Sequence, residues 1–124
     1  MWFVSYIKPM MLYQISYFED NNGEAPFVRW LSSLKDRKAA ALIKTRIDRL
    51  RFGLFGDSKV LREDVHELRI HFGPGYRLYF TKHKNSMVVL LCGGDKSTQR
   101  KDINKAVLYR RLLKDVDDAK TSPI

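Results

Sequence analysis

The stretch HELRIHFGPGYRLYFT, residues 66–81, decides the fold of this chain. Apolar and polar side chains alternate on both sides of Gly73-Pro74-Gly75, and a period of two is typical of strands with one buried face. Gly-Pro-Gly favours a turn, because glycine adopts positive φ freely and proline fixes its own φ. The stretch therefore predicts a β-hairpin, whose tightly connected strands must run antiparallel.

The register of this hairpin determines which polar side chains meet. A three-residue loop at 73–75 places His71 opposite Arg77, and Arg69 opposite Tyr79. Directly opposed side chains have Cβ atoms about 4.5–5.5 Å apart. Periodicity alone favours an ordinary solvated sheet face. The sharper hypothesis is a site in which two arginines, a histidine and a tyrosine act together.

Further strands are predicted on either side of the hairpin. Residues 12–17 alternate like a strand. Residues 87–92 form a continuous apolar run, which suits a central strand that ends at Gly93-Gly94. Asp95 and Lys96 follow this strand, so we expect them at the edge of the sheet, close to the polar face of the hairpin.

Three helices are predicted from capping residues and from apolar residues spaced three and four apart. Pro26 lies in the first turn of the first helix, Asp36 caps the second before Gly53 and Gly56 end it, and Ser97 or Thr98 caps the third. Their expected core positions are Phe27, Trp30, Leu31 and Leu34; Leu42, Ile43, Ile47, Leu50 and Leu54; and Ile103, Ala106, Val107 and Leu113. The fold class is α+β, a curved antiparallel sheet with two N-terminal helices on one face and a C-terminal helix, in the order β-α-α-β-β-β-α.

The length of 124 residues predicts one domain over residues 1–124, with 1–9 as an extension and 115–124 as a flexible tail. No apolar run approaches the roughly 20 residues of a membrane span. The N-terminus lacks the basic start and the cleavage site of a signal peptide. Cys92 is the single cysteine, so an internal disulfide is excluded, and we expect a buried thiol in a reducing cytoplasm.

The net charge of +9, from 23 basic and 14 acidic side chains, is the first indication of function. Such a charge on a small domain favours a polyanionic partner: nucleic acid, the ribosome or an acidic protein. The basic residues of the second helix are equally explained by a solvated face. A surface for ribosomal RNA is the sharper hypothesis for them.

The predicted polar residues suit cleavage of RNA without a metal. The 2′-OH attacks the adjacent phosphate, so a base, an acid and cations around the phosphate are required. Arginine holds phosphate oxygens in a fork, histidine transfers protons near neutral pH, and lysine supplies a point charge. The three histidines lack metal-ligand spacing and Gly93-Gly94 precedes no GK[ST] sequence, so we expect no metal, no cofactor and no nucleotide hydrolysis.

Three segments carry a resemblance to a known family: VHELRI at 65–70, GPGYR at 73–77 and LCGGDKSTQ at 91–99, followed by Asp102-Ile103. Together they resemble the addiction-module killer proteins of the RelE/ParE superfamily, in a HigB-like branch that includes phage relatives. The resemblance runs from about Tyr13 to Leu113. It implies a RelE-like sheet, a basic concave surface with an antitoxin bound across it, and mRNA cleavage in the ribosomal A site.

The resemblance also implies roles for individual residues. The arginine of the GYR motif falls on Arg77, which is expected to hold the scissile phosphate. The polar position of the preceding strand falls on Arg69 or His71, and the basic residue at the start of the last helix falls on Lys96. The predicted catalytic residues are Arg69, His71, Arg77 and Lys96, and the residues predicted to contact RNA are Tyr79, Lys82, Arg100 and Lys101.

The function implied by the resemblance is that of the toxin in a bacterial type II toxin–antitoxin system. It would be a cytoplasmic, metal-independent and ribosome-dependent mRNA endonuclease that stops translation. Its partners would be the ribosome, mRNA and a cognate antitoxin with a helix-turn-helix domain and an acidic contact surface. The alternatives are a ParE-like toxin that inhibits DNA gyrase by binding, and a basic interaction module without activity.

Overall fold

The computed structural model describes residues 10–114 of the chain. Within this range the strands are β1 (Gln14–Tyr17), β2 (Ser58–Val60), β3 (His66–Ile70), β4 (Tyr76–His83) and β5 (Met87–Asp95). The helices are α1 (Pro26–Ser33), α2 (Arg37–Leu50) and α3 (Gln99–Lys114), with 3₁₀ turns at Arg62–Asp64 and Lys96–Thr98. The predicted α+β class is confirmed. The predictions for 1–9 and 115–124 lie outside the described residues.

The five strands form one mixed sheet in the order β1-β5-β4-β3-β2. β1 runs parallel to β5, from Gln14 beside Met87 to Tyr17 beside Leu90, so the prediction of an antiparallel sheet is wrong for this strand. A tight turn fixes the relative direction of two consecutive strands only. Both α1 and α2 lie between β1 and the next strand, so no tight turn fixes the direction of β1. β2 was also missed, since three residues are too few for a periodic signal.

The β3–β4 hairpin has a longer connection than predicted. The last ladder pair is Ile70 with Tyr76, so residues 71–75 form a five-residue connection. The N–H of Phe72 bonds the Ile70 carbonyl and the N–H of Gly75 bonds the Phe72 carbonyl, which takes residues 71 and 72 out of the ladder. Arg69 therefore lies opposite Arg77. The predicted pairs His71–Arg77 and Arg69–Tyr79 are wrong by two residues.

The sheet has helices on both faces. Helices α1 and α2 pack on one face, as predicted, around a core that includes Phe27, Ile43, Ile47, Leu50, Leu68, Leu78, Phe80 and Leu90. Helix α3 packs on the other face, around Val65, Tyr79, Val89, Leu91, Cys92, Ala106, Val107 and Leu113. Ala39 completes the buried stripe of α2, whereas Leu42 and Leu54 are 40% and 59% exposed and are not core residues.

β5 continues through Gly93 and Gly94 to Asp95 instead of ending at the glycines. A Cβ at Gly93 would collide with the ring of Trp30, and one at Gly94 with the carboxylate of Asp102. Both glycines thus permit close helix–sheet contact within a strand. Asp95 then caps the 3₁₀ turn Lys96–Thr98, because its side chain accepts from the N–H of Ser97. Thr98, one of the two residues predicted to cap the last helix, directly precedes α3 and donates its hydroxyl to the Asp102 carboxylate.

Helices α1, α2 and α3 have 8, 14 and 16 residues. Between residues 10 and 114, none of them is long and apolar enough to cross a bilayer.

Candidate functional site

A buried carboxylate lies on the α3 face of the β3–β4 hairpin. Glu67 is 0% exposed and lies opposite Tyr79 in the ladder. Its Oε1 accepts from Arg69 Nε at 3.0 Å and from Arg77 Nη1 at 3.2 Å. Its Oε2 accepts from the Tyr79 hydroxyl at 3.1 Å and from Gln99 Nε2 at 2.9 Å. Four donors from two strands and one helix therefore meet at one side chain.

The hydrogen bonds keep Glu67 ionised in spite of its burial. Burial raises the pKa of the Glu67 carboxyl, but the hydrogen bonds from Gln99, Arg69 and Tyr79 outweigh it, so the net pKa lies below its usual value. A buried charge is stable only when it is paired and hydrogen-bonded, and this one is. Its lone pairs are occupied, so Glu67 holds its neighbours in place and is not a free base.

Tyr79 is part of this support and not of the exposed surface. It is 0% exposed, and burial together with the charge of Glu67 raises its pKa, so its hydroxyl remains a donor. The prediction that Tyr79 contacts RNA is therefore corrected, because no base could reach its ring.

The two arginines anchored by Glu67 place two positive charges together on the α3 face. Because Arg69 and Arg77 are opposed in the ladder and bond the same oxygen, their guanidinium groups lie side by side. The Arg69 side chain is 31% exposed and the Arg77 side chain 12%. Arg77 Nε is buried without a hydrogen-bond partner. A guanidinium has five N–H donors, so several remain for the oxygens of a phosphate group.

The segment after β5 brings a third cation to this end of the sheet. Asp95 caps the 3₁₀ turn in which Lys96 lies. Lys96 is exposed, and its Cβ lies 3.7 Å from where a Cβ of Gly75 would be, beside the hairpin connection. Gln99 at the start of α3 bonds Glu67, so the helix start is tied to the arginine pair. Arg100 is exposed at the next position.

His71 lies beyond the ladder and is tied to another residue. Its side chain is 75% exposed, and its Nε2 lies 2.5 Å from Oδ2 of Asp57, just before β2. This hydrogen bond with His71 holds the pKa of Asp57 below its usual value. His71 directly follows the last residue of β3, and it does not oppose Arg77.

Two further predicted residues lie away from the arginine pair. Lys82 is on the α1/α2 face, with its Nζ 4.3 Å from the ring centre of Phe55 and 5.5 Å from that of Tyr13. Lys101 lines a cleft of about 480 Å³ between α1 and α3, which also contains Trp30. Neither lysine joins the surface formed by Arg69 and Arg77.

Sequence analysis missed Glu67 and Gln99 as site residues, although both belong to the motifs quoted above. Glu67 and Arg69 lie two positions apart and therefore face the same side of the strand. A carboxylate beside an arginine on one strand face was a usable signal for an ion pair. Its partner Tyr79 could be found only with the correct register. Gln99 gave no such signal, because its approach to Glu67 depends on where α3 begins.

Among residues 10–114, no group of three or more histidine, cysteine or acidic side chains could hold a metal ion. Cys92 is 4% exposed, and burial raises the pKa of its thiol to about 12. Its Sγ–H donates to the Asp102 carbonyl, so the predicted buried thiol is confirmed.

The site and fold together define an α+β protein with an arginine pair fixed by a buried carboxylate on one sheet face. No family model matches the chain. A protein of Haemophilus influenzae (strain ATCC 51907 / DSM 11121 / KW20 / Rd), described as an uncharacterized protein, is 54% identical over 87 residues. The matched region covers 70% of this chain and 88% of that protein. The chain belongs to the family of this Haemophilus influenzae protein.

Proposed function

We propose that the chain is the toxin of a bacterial type II toxin–antitoxin system, with a RelE-like fold, and that it cleaves mRNA on the ribosome. The observation that carries this proposal is the pair Arg69 and Arg77, held side by side by the buried Glu67. An ordinary solvated face would not need a buried carboxylate to orient its arginines. The net charge of +9 favours the same polyanionic substrate.

The proposed reaction is an internal displacement at phosphorus. The 2′-oxygen of one nucleotide forms a bond to the adjacent phosphorus, and the bond from phosphorus to the 5′-oxygen of the next nucleotide breaks. The products are a 2′,3′-cyclic phosphate and a 5′-hydroxyl. Arg69 and Arg77 hold the non-bridging oxygens and stabilise the additional negative charge that develops there. Lys96 adds a third positive charge beside the hairpin connection.

Two protons must move in this reaction, from the 2′-hydroxyl and to the leaving 5′-oxygen. We assign one transfer to His71, because an imidazole can give or take a proton; Asp57 holds its Nε2, which leaves Nδ1 for the substrate. We assign the other transfer to Lys96, which is exposed beside the hairpin connection. Glu67 takes no proton, because its oxygens are occupied by four donors.

The partners under this proposal are the ribosome, mRNA and a cognate antitoxin with an acidic contact surface and a helix-turn-helix domain. No cofactor is needed, and the site of action is the bacterial cytoplasm.

The test is cleavage of mRNA by the purified chain on programmed bacterial ribosomes, with free mRNA as the substrate control. We expect cuts on ribosomes, few on free mRNA, and their loss in Arg77→Ala and Arg69→Ala. The matched control is Arg111→Ala, an exposed arginine near the end of α3. Inhibition of DNA gyrase supercoiling without any mRNA cut would replace this proposal by the ParE-like alternative.

A further inference from the structure

A row of four rings lies on the α1/α2 face, beyond the end of α2: Tyr13, Phe55 and His66 are partly exposed, and Phe80 is buried between Phe55 and His66. The ring centres are 5.6 Å apart for Tyr13 and Phe55, 5.9 Å for Phe55 and Phe80, and 4.9 Å for Phe80 and His66. The ammonium of Lys82 stands over the rings of Phe55 and Tyr13. The side chain of Lys82 is exposed, so its ammonium lies at the surface above the two rings.

Aliphatic side chains extend this row at both ends. Leu12 and Leu54 are 55% and 59% exposed at one end, and Val60 is 61% exposed at the other, where it pairs with His66. The N–H of Leu12 bonds the Arg51 carbonyl at 2.8 Å, which holds Leu12 against the end of α2. We call this region the Lys82 surface; it consists of Leu12, Tyr13, Leu54, Phe55, Val60 and His66 around Lys82.

Exposed apolar side chains grouped at the ends of one row of rings are typical of a binding interface, whereas single exposed apolar residues are ordinary. Nucleic acid is the weaker occupant, because aliphatic side chains offer no stacking plane and Lys82 is one cation where a phosphate backbone requires several. Aromatic and aliphatic side chains around one charge instead resemble the centre of a protein–protein interface.

We propose that the Lys82 surface docks an acidic, amphipathic segment of a protein partner. A carboxylate of that segment pairs with Lys82, and its aliphatic side chains cover Leu12, Leu54 and Val60. Charge supports this choice, since the chain carries +9 and an acidic partner neutralises part of it. The identity of the partner rests on the proposed function, under which it is the cognate antitoxin.

The Lys82 surface is separate from the arginine pair. Phe80 and His66 belong to the α1/α2 face, whereas Glu67 and Arg77 lie on the α3 face of the same two strands. A partner docked on the Lys82 surface therefore protects backbone amides at 10–13, 52–55 and 58–60 before those of the β3–β4 connection.

The experiment uses the full chain and, as probe, the purified protein encoded by the gene adjacent to it. Binding is measured by calorimetry, and the protected amides by hydrogen exchange. We expect Leu54→Asp and Lys82→Glu each to weaken binding about tenfold or more, as central interface positions do. Lys82→Arg should restore most of the affinity. The control is Leu108→Asp, a 51% exposed leucine of α3, which should bind as the unsubstituted chain does.

Several results would overturn the proposal. These are no binding of the probe, equal affinity of all variants, or protection confined to residues 67–77. Self-association abolished by Leu54→Asp would assign the surface to a second copy of the chain, and loss of single-stranded RNA binding in that variant would assign it to nucleic acid. The same preparations are assayed for mRNA cleavage. Binding through Leu54 and Lys82 without cleavage would reject the proposed function and still support the surface.

Discussion

Replacing Glu67 tests how the arginine pair is held. In Glu67→Gln the new amide can donate to the Tyr79 hydroxyl and to a flipped Gln99, so those two contacts survive in neutral form. The bonds from Arg69 and Arg77 lose the charge of their acceptor, and a charged hydrogen bond exceeds a neutral one by about 1 kcal/mol. We expect a loss of roughly 2 kcal/mol in the free energy of unfolding.

Glu67→Ala removes the acceptor for all four donors and should cost more. Breaking a buried ion pair from one side costs about 3–5 kcal/mol, because the remaining charges stay buried. Arg69 is 31% exposed and can be hydrated, which places the expected loss near the lower end, at about 3 kcal/mol. The matched control is Glu24→Gln, an exposed carboxylate paired with Arg29, with an expected loss of less than about 1 kcal/mol.

The stability lost in Glu67→Gln must depend on pH. The pKa of Glu67 in the folded protein lies below its value in the unfolded chain. Such a group stabilises the protein fully above its unfolded pKa, and this contribution is lost as the pH falls through the folded pKa. The difference between Glu67 and Glu67→Gln should therefore be constant from pH 5 to 7, on the order of 2 kcal/mol, and shrink below about pH 4.

Urea unfolding followed by circular dichroism measures these differences at each pH. A Glu67→Gln variant as stable as the unsubstituted chain, or a stability difference that grows in acid, would refute the account of the buried carboxylate.

Three further predictions concern the fold. Gly93→Ala should lower the free energy of unfolding by roughly 1–3 kcal/mol, because its Cβ would collide with the Trp30 ring; thermal denaturation measures this loss. Asp36→Ala should cost about 1 kcal/mol in the same assay, since Asp36 accepts from two N–H groups at the start of α2. Cys92 should react with thiol reagents at pH 8 slowly in the native protein and rapidly in denaturant; equal rates would contradict its burial.

The hairpin illustrates what sequence can and cannot predict. Alternation and Gly73-Pro74-Gly75 were sufficient to predict two antiparallel strands and the place where the chain turns. They could not predict the register, because the register depends on the length of the connection. Here His71 and Phe72 belong to the connection and not to the ladder. A shift of two residues keeps each side chain on its face but changes its partner.

The parallel pairing of β1 with β5 could not be predicted from the sequence, for a related reason. No short connection links Tyr17 to Met87, so their relative direction depends on how α1 and α2 pack. The burial of Glu67 could not be predicted either. Strand alternation predicted a polar face and could not show that Gln99 of α3 approaches Glu67. Long-range contacts of this kind determine the geometry of the site, whereas local sequence patterns determine where the helices and strands lie.

The most direct test of the central claim is a map of mRNA 5′ ends in bacteria that express the chain from a tightly controlled promoter. The account predicts new ends within translated codons, in frame, for the unsubstituted chain and for Arg111→Ala. It predicts their loss in Arg77→Ala, provided that this variant melts as a folded protein. Growth arrest without new mRNA ends, or unchanged cutting by Arg77→Ala, would contradict it.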